Sequence, residues 1–432
     1  MQYTDKKAIF GWSMYDWANS AFATTVMAGF FPIFFKQYWS ADVDTVVSTA
    51  RLGLANSLAG MTIAFSAPFL GAIADRGTSK KKFLLFFAYV GATATLLLFF
   101  ISKGSWPMAI ALYILATIGF LGGNIFYDAL ITDIASEKIF DFVSGLGFAL
   151  GYLGGGILFA FNVWTTLNPE VLGFENPGEA MQFSFISVGI WWTVFSIPLF
   201  LFVKERKNKR TEPYLSLVKA GIIQLKETFR KIRHLKIIFL FLISYWLYID
   251  GVNSIIYMAI DYGISIGLKS DDLIVALLIT QFIGFPASLG FVYLGGKIGT
   301  RHAIFTAIAV YLCISFYGAF LSNEHEFFIM ATLVGLVQGG IQALSRSYYA
   351  RIIPVDKSAE YFGFYNLVGK FAAILGPMLI GGTGLLMKSL GYSSTIASRV
   401  SISSVSIFFI AGGILFYFVT EERGREEIKN LS

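Results

Sequence analysis

Runs of about 20 apolar residues recur along the chain, each long enough to cross a ~30 Å hydrocarbon core as a helix. They fall near residues 17–39, 52–73, 83–101, 107–131, 143–162, 184–203, 237–260, 272–294, 303–321, 327–350, 361–383 and 399–420, with short polar breaks between them. The pattern predicts an all-α membrane protein of twelve transmembrane helices, arranged as two pseudo-symmetric six-helix bundles. The longest polar stretch, 204–236, follows the sixth run. It divides the chain into an N-terminal bundle (1–203), a cytoplasmic linker (204–236) and a C-terminal bundle (237–432). Within the linker, Leu215, Val218, Ile222, Leu225, Phe229 and Ile232 step by three or four residues, with Lys219, Lys226, Arg230 and Lys231 between them. That spacing predicts a basic amphipathic helix lying on anionic lipid, or else a docking site for a regulator.

Composition narrows the class. Of the 432 residues 56% are hydrophobic and 14% charged, against roughly 25% charged in soluble domains; too little charge remains to build a water-exposed surface. The net charge of +6 does not mark a nucleic-acid binder, because the basic residues sit between apolar runs rather than on one face. Of the 33 lysines and arginines, 26 fall on one side: in the N-terminal tail, the loops after the even-numbered runs, the C-terminal tail, and at Arg346 near the end of the tenth run. This asymmetry predicts both termini in the cytoplasm of a protein crossing the cell (inner) membrane many times. The first run is too long for a signal-peptide core and has no cleavage site after it. The single cysteine, Cys313, excludes an intrachain disulfide and reads as a small core residue.

The two halves echo one another. Gly71-x-x-x-Asp75-Arg76 followed by Lys80 and Lys81 opens the loop after the second run; Gly295-Gly-Lys-Ile-Gly299-Thr300-Arg301 opens the loop after the eighth. An offset of 218 residues aligns Gly122 with Gly340, Gly145 with Gly363, Gly151 with Gly369, and Asp128 with Arg346. Duplicated bundles are how many carriers build alternating access.

The loop signature at Gly71, Asp75, Arg76, Lys80 and Lys81, on a twelve-span pattern, resembles that of the major facilitator superfamily. Trp12-Ser-Met-Tyr15-Asp16-Trp17-Ala-Asn19-Ser20-Ala-Phe22 and Gln342-Ala-Leu-Ser345-Arg346-Ser347 resemble a narrower branch, the bacterial facilitators related to the autophagy-associated vacuolar amino-acid effluxers of fungi. The resemblance implies a central cavity lined by spans one, four, seven and ten, a conformational role for the Asp75 and Arg76 loop, and efflux of neutral amino acids. Tyr152 stands where the antiporter glycine motif has proline, and Gly299 stands opposite Asp75. Both departures argue against drug antiport.

Ionisable groups deep in a span cost about 2.5–3.5 kcal/mol on insertion scales and face a cavity or a partner. Asp250, Asn253, Ser254, Tyr257 and Asp261 form one polar stripe on span seven, expected to line the cavity. Lys370, in the middle of span eleven, is expected to pair with Asp250, either as a structural ion pair or in proton coupling. Asp128 and Arg346 lie about 13–15 Å from the centres of their spans, where opposite charges can clasp the inner mouth or cap separate helix ends. Asp16, Asn19 and Ser20 on span one lie near the same inner mouth, with Asp16 a further gating candidate, and Gln338 and Gln342 on span ten share the face of Arg346. The amide and hydroxyl groups among them suit a zwitterion or polyol, or interhelical hydrogen bonds. Three histidines, His234, His302 and His325, lie in loops, and no metal cluster, nucleophile–base pair or phosphate loop occurs. A monomeric secondary carrier of a small polar solute, with protons as candidate coupling ion and no cofactor, is the reading that remains. A non-transporting sensor and a membrane-embedded enzyme are its alternatives.

Overall fold

The computed structural model describes residues 5–42, 45–77, 79–205, 235–265, 268–371 and 375–429. The amphipathic helix expected at 215–232 therefore lies outside the described residues. Among those described, every regular element is helical. The spans are α1 (Lys6–Trp39), α2 (Thr45–Gly77), α3 (Lys80–Leu97), α4 (Trp106–Ile134), α5 (Phe140–Leu167), α6 (Pro177–Phe202), α7 (Lys236–Ser265), α8 (Ser270–Ile298), α9 (Thr300–Gly318) and α10 (Glu324–Arg351). They are followed by α11 (Ser358–Phe371), α12 (Leu375–Ser389), α13 (Ser394–Ser404), α14 (Ser406–Tyr417) and a short terminal helix, α15 (Glu421–Lys429).

Ten helices among the described residues are long and apolar enough to span a membrane: α1, α3–α10, and the stretch Ile396–Tyr417 that α13 and α14 form together; α2, bent by 43° between Leu54–Ala67 and Phe69–Asp75, makes eleven. The eleventh expected run, 361–383, is carried by α11 and α12 on either side of the undescribed 372–374. Helix α1 starts at Lys6, eleven residues earlier than hydropathy places it, because the Asp5 carboxylate accepts the Lys7 and Ala8 N–H groups at 3.0 and 3.4 Å. An acidic N-cap of this kind satisfies donors that the first turn leaves without intrahelical partners. Two stretches of α1, Phe22–Phe30 and Phe35–Trp39, are π-helical, a widened form seen at functional sites. Pro198 and Pro286 sit inside α6 and α8, tolerated where neighbouring helices re-satisfy the freed carbonyls.

Packing explains how the two groups of helices meet. One apolar cluster, including Phe31, Phe34, Trp39, Tyr113, Phe185 and Trp192, is confined to α1–α6. The larger cluster runs from Trp12, Leu130 and Val143 into Phe241, Tyr348, Tyr349 and Phe362. The apolar core is thus continuous between the groups toward the face bearing the 78–79, 135–139 and 352–357 connections, called the basic face below. Tyr152 of α5 packs its ring over Gly284 of α8 and Gly339 of α10, so the residue that replaces the motif proline wedges into the seam. Large side chains such as Phe65, Leu201 and Phe320 stand about 70% exposed on the outside of the bundle, as lipid-facing residues do. Cys313 is also exposed, on the outer side of α9; this corrects its reading as a core residue, since a thiol is apolar enough for either environment.

Candidate functional site

The last three turns of α10 carry Arg346 into the seam between the two helix groups, where it is 3% exposed. One terminal nitrogen lies 3.1 Å from Asp128 Oδ1 on α4, the other 3.6 Å from Asp16 Oδ2 on α1. Its Nε donates to Ser144 Oγ at 2.8 Å and a terminal N–H donates to the Ser144 carbonyl at 2.9 Å. The guanidinium also lies over the rings of Phe148, Trp12 and Tyr127 at 4.4, 4.8 and 5.4 Å. The carboxylates are held in turn: Asn366 on α11 donates to Asp128 Oδ2 at 3.2 Å, and the Tyr127 hydroxyl donates to Asp16 Oδ2 at 2.7 Å. A guanidinium has donors in a planar fork that matches this many acceptors at once. A charge buried in a bundle persists only when it is so surrounded.

A second set of contacts lies nearer the basic face. Asp75, at the end of α2, accepts the backbone N–H groups of Ala359 and Glu360 at 3.1 and 2.8 Å, at the start of α11. This sets a carboxylate on the positive end of a helix. Lys80 joins the group, 3.4 Å from Asp75, 3.2 Å from Asp133 and 2.8 Å from the Ser358 hydroxyl. The pseudo-equivalent corner contains Arg351, 2.9 Å from Asp141 on α5, with Thr300 donating to the same carboxylate at 2.6 Å. Ser347 donates to the other oxygen of Asp141. Just outside the spans, Glu205 accepts the Lys81 N–H, and burial pushes its carboxyl above the usual range while that hydrogen bond opposes the shift.

Gly71 lets α2 approach α11. A Cβ there would fall 2.7 Å from the Ala359 carbonyl carbon and 2.9 Å from the Glu360 nitrogen, closer than atoms pack. Gly71→Val is expected to push α11 away, costing on the order of 1–3 kcal/mol in this state. A lower melting temperature and slowed transport would show it; unchanged values for both would mean the helices separate at no cost.

Asp250 on α7 is fully buried. Its Oδ1 accepts the Gly376 N–H at the start of α12 at 2.9 Å, and the Ser254 hydroxyl at 3.4 Å. Among the described residues no donor reaches its Oδ2. Asn253, Gln338 and Gln342 are half-buried, and Gln338 ends an apolar cavity bounded by Ile255, Ala259, Leu273, Met330 and Val334. The side chains of Tyr257, Lys370 and Arg76 lie outside the described residues, so the expected Asp250–Lys370 pair does too. Asn19 is buried and donates to Asn124 Oδ1 on α4 at 2.7 Å.

Several participants were not picked out from the sequence: Asn124, Tyr127, Asp133, Asp141, Ser144, Arg351 and Asn366. One internal repeat points to some of them, and a second relates residues already singled out. The 218-residue offset that aligns Asp128 with Arg346 also aligns Asn124 with Gln342 and Asp133 with Arg351. An offset of 234 aligns Asp16-x-x-Asn19-Ser20 on α1 with Asp250-x-x-Asn253-Ser254 on α7. Both copies pack on glycine: Gly147 and Gly151 of α5 face Asp16 and Ser20, and Gly376 of α12 faces Asp250 and Ser254. Ser144 and Asn366 carry no such repeat signal.

Two groups of apolar helices, joined by a charged seam near one face, define a membrane transporter of the major facilitator superfamily. The solved structures agree on the fold: the proton:xylose symporter XylE superposes with a TM-score of 0.71 at 14% identity, covering 98% of this chain and 97% of that one. A bacterial homologue of the iron transporter ferroportin gives 0.67 at 12% identity, covering 96% and 98%. Residues 4–429 match the family described as Vacuole effluxer Atg22 like, and the chain belongs to that family. A Bacillus subtilis (strain 168) relative, an uncharacterized MFS-type transporter called YxiO, is 38% identical over 95% of this chain and 94% of its own length. Autophagy-related protein 22 of Eremothecium gossypii is 22% identical over 98% of this chain and 93% of its own.

Proposed function

We propose that this transporter carries a small polar solute, an amino acid or related zwitterion, by alternating access coupled to protons, with residues 1–203 and 237–432 as its two moving bundles. In this reading the basic face is cytoplasmic, both termini lie there, and the 204–236 linker rests on anionic lipid. The single observation that carries the reading is the Asp128–Arg346 contact at 3.1 Å, a charged bond joining the two bundles that has to break before the basic face can open. Asp16 with Arg346, and the Asp75–Lys80 set against α11, add bonds of the same kind. Asn19, Asn253, Gln338, Gln342, Tyr257, Asp250 and Lys370 are the candidate contacts for solute and coupling proton. The word effluxer in the family description supports export of the solute.

The test is uptake and exchange in proteoliposomes containing purified protein, with labelled amino acids as solutes and a pH gradient imposed across the membrane. Accumulation of one or more amino acids against their gradient, abolished when the pH gradient is collapsed, is the expected result. Transport of an amino acid that ignores the pH gradient removes the proton from the reading, and failure to move any zwitterion removes the substrate class.

A further inference from the structure

We propose that α15 is a latch that holds the basic face closed, strapped to the C-terminal bundle and hooked onto the N-terminal one through Arg425. The inference rests on the reading that the two bundles part at this face. Its strap is built into the C-terminal bundle at two points. Gly424 lies against Ile352 and Ile237, where a Cβ would fall 2.9 Å from the Ile352 Cγ2 and 3.4 Å from the Ile237 Cγ2. Three residues on, Glu427 accepts the Ile237 N–H at 3.0 Å. That places a carboxylate on the unsatisfied N–H groups at the start of α7, where the helix dipole favours it. Between these anchors Arg425 turns the other way. It reaches Glu137 at 2.7 Å, in the turn that joins α4 to α5 on the opposite bundle, and is steadied by Glu421 at 2.5 Å one helical turn back.

The hook lands on a turn already gripped from the same side, since Arg351 Nε donates to the Glu137 carbonyl at 3.3 Å. One short turn of the N-terminal bundle is therefore held by two arginines of the C-terminal region. The composition of α15 suits a latch rather than a core element: apart from Gly424 and Ile428 every residue from Glu421 to Lys429 is charged. The Arg425 and Glu137 side chains are 44% and 51% exposed, so the bond is weak enough to break in each cycle. An exposed pair of this kind shifts an equilibrium by only about two- to five-fold, which is the range of a bias rather than a lock.

Spin labels at Lys138 and His302, both exposed on this face and on opposite bundles, report the separation by pulsed electron spin measurements in a Cys313→Ser background. Arg425→Glu and Glu137→Arg should each raise the ratio of long to short distances about two- to five-fold, and the double exchange should restore it. Deletion from residue 421 onward should raise it at least as much, because the strap goes with the hook. Glu137→Arg leaves α15 itself intact, so the result does not depend on that helix refolding. A long-distance population that grows in Arg346→Met but in neither Arg425→Glu nor Glu137→Arg overturns the latch and leaves alternating access standing. Growth in both single variants without recovery in the double also overturns it, because the effect is then not carried by the pair. If no variant, Arg346→Met included, ever shows the long distance, the latch fails together with the reading beneath it.

Discussion

Arg346→Met is expected to abolish net transport while leaving a folded, membrane-inserted protein. Removing the guanidinium strands Asp128, Asp16 and the Ser144 carbonyl, which it holds together at 3.1, 3.6 and 2.9 Å. Breaking a buried ion pair by deleting one partner costs about 3–5 kcal/mol. That cost falls on the state with the basic face closed, because only there do α1, α4, α5 and α10 converge on this side chain. A difference of this size moves a two-state equilibrium by about two to three and a half powers of ten, at about 1.4 kcal/mol per tenfold change. The carrier should then rest open at the basic face, which a membrane-impermeant thiol reagent would detect at a cysteine replacing Val143, fully buried in the present state. Exchanging the charges, Asp128→Arg with Arg346→Asp, should recover transport only in part, because the new carboxylate would face Asp16. Adding Asp16→Asn should improve the recovery, as a coupled network requires. Wild-type turnover in Arg346→Met would show that the cluster caps helix ends and gates nothing.

Asp250 should separate coupling from stability. Asp250→Ala removes the acceptor of the Gly376 N–H, and an orphaned buried donor costs about 1–3 kcal/mol; the melting temperature should fall. Asp250→Asn keeps a side-chain oxygen for that N–H, so its melting temperature should stay close to wild type. With Asp250 as the proton carrier, the asparagine variant exchanges solute downhill at near-normal rate but no longer accumulates it when a pH gradient is imposed. Full gradient-driven accumulation by Asp250→Asn would assign the residue to capping α12 alone. Lys370→Met, tested alone and with Asp250→Asn, adds the second arm: recovery of both stability and accumulation in the double variant would make the two residues a structural ion pair.

The distribution of these effects reflects what a single sequence carries. Span positions and the two-bundle layout were legible because twenty apolar residues in a row have few other uses. Asp128 and Arg346 could be paired because the duplication supplied an alignment, and Asp75 because its loop signature is local. Ser144, Tyr127 and Asn366 were not legible: each is an ordinary residue on an apolar helix, and its role depends on which face of α5, α4 or α11 turns inward at one depth. Hydropathy also misjudged the start of α1, because Asp16 and Asn19 break the apolar run although both are buried within the bundle. The Gly376 N–H that donates to Asp250 Oδ1 was not legible either, because side-chain patterning does not reveal a backbone donor from α12.

The matched positions 128 and 346, and 133 and 351, carry acids in the first bundle and arginines in the second. Of these, Asp128 and Arg346 meet across the seam, and with the same residue at both positions acid would face acid there, or arginine would face arginine. The reversed signs therefore act as a rule of assortment: a first bundle is repelled by another first bundle and attracted by a second. Were the bundles made as separate chains, they should assemble as one of each kind and not as pairs of the same kind.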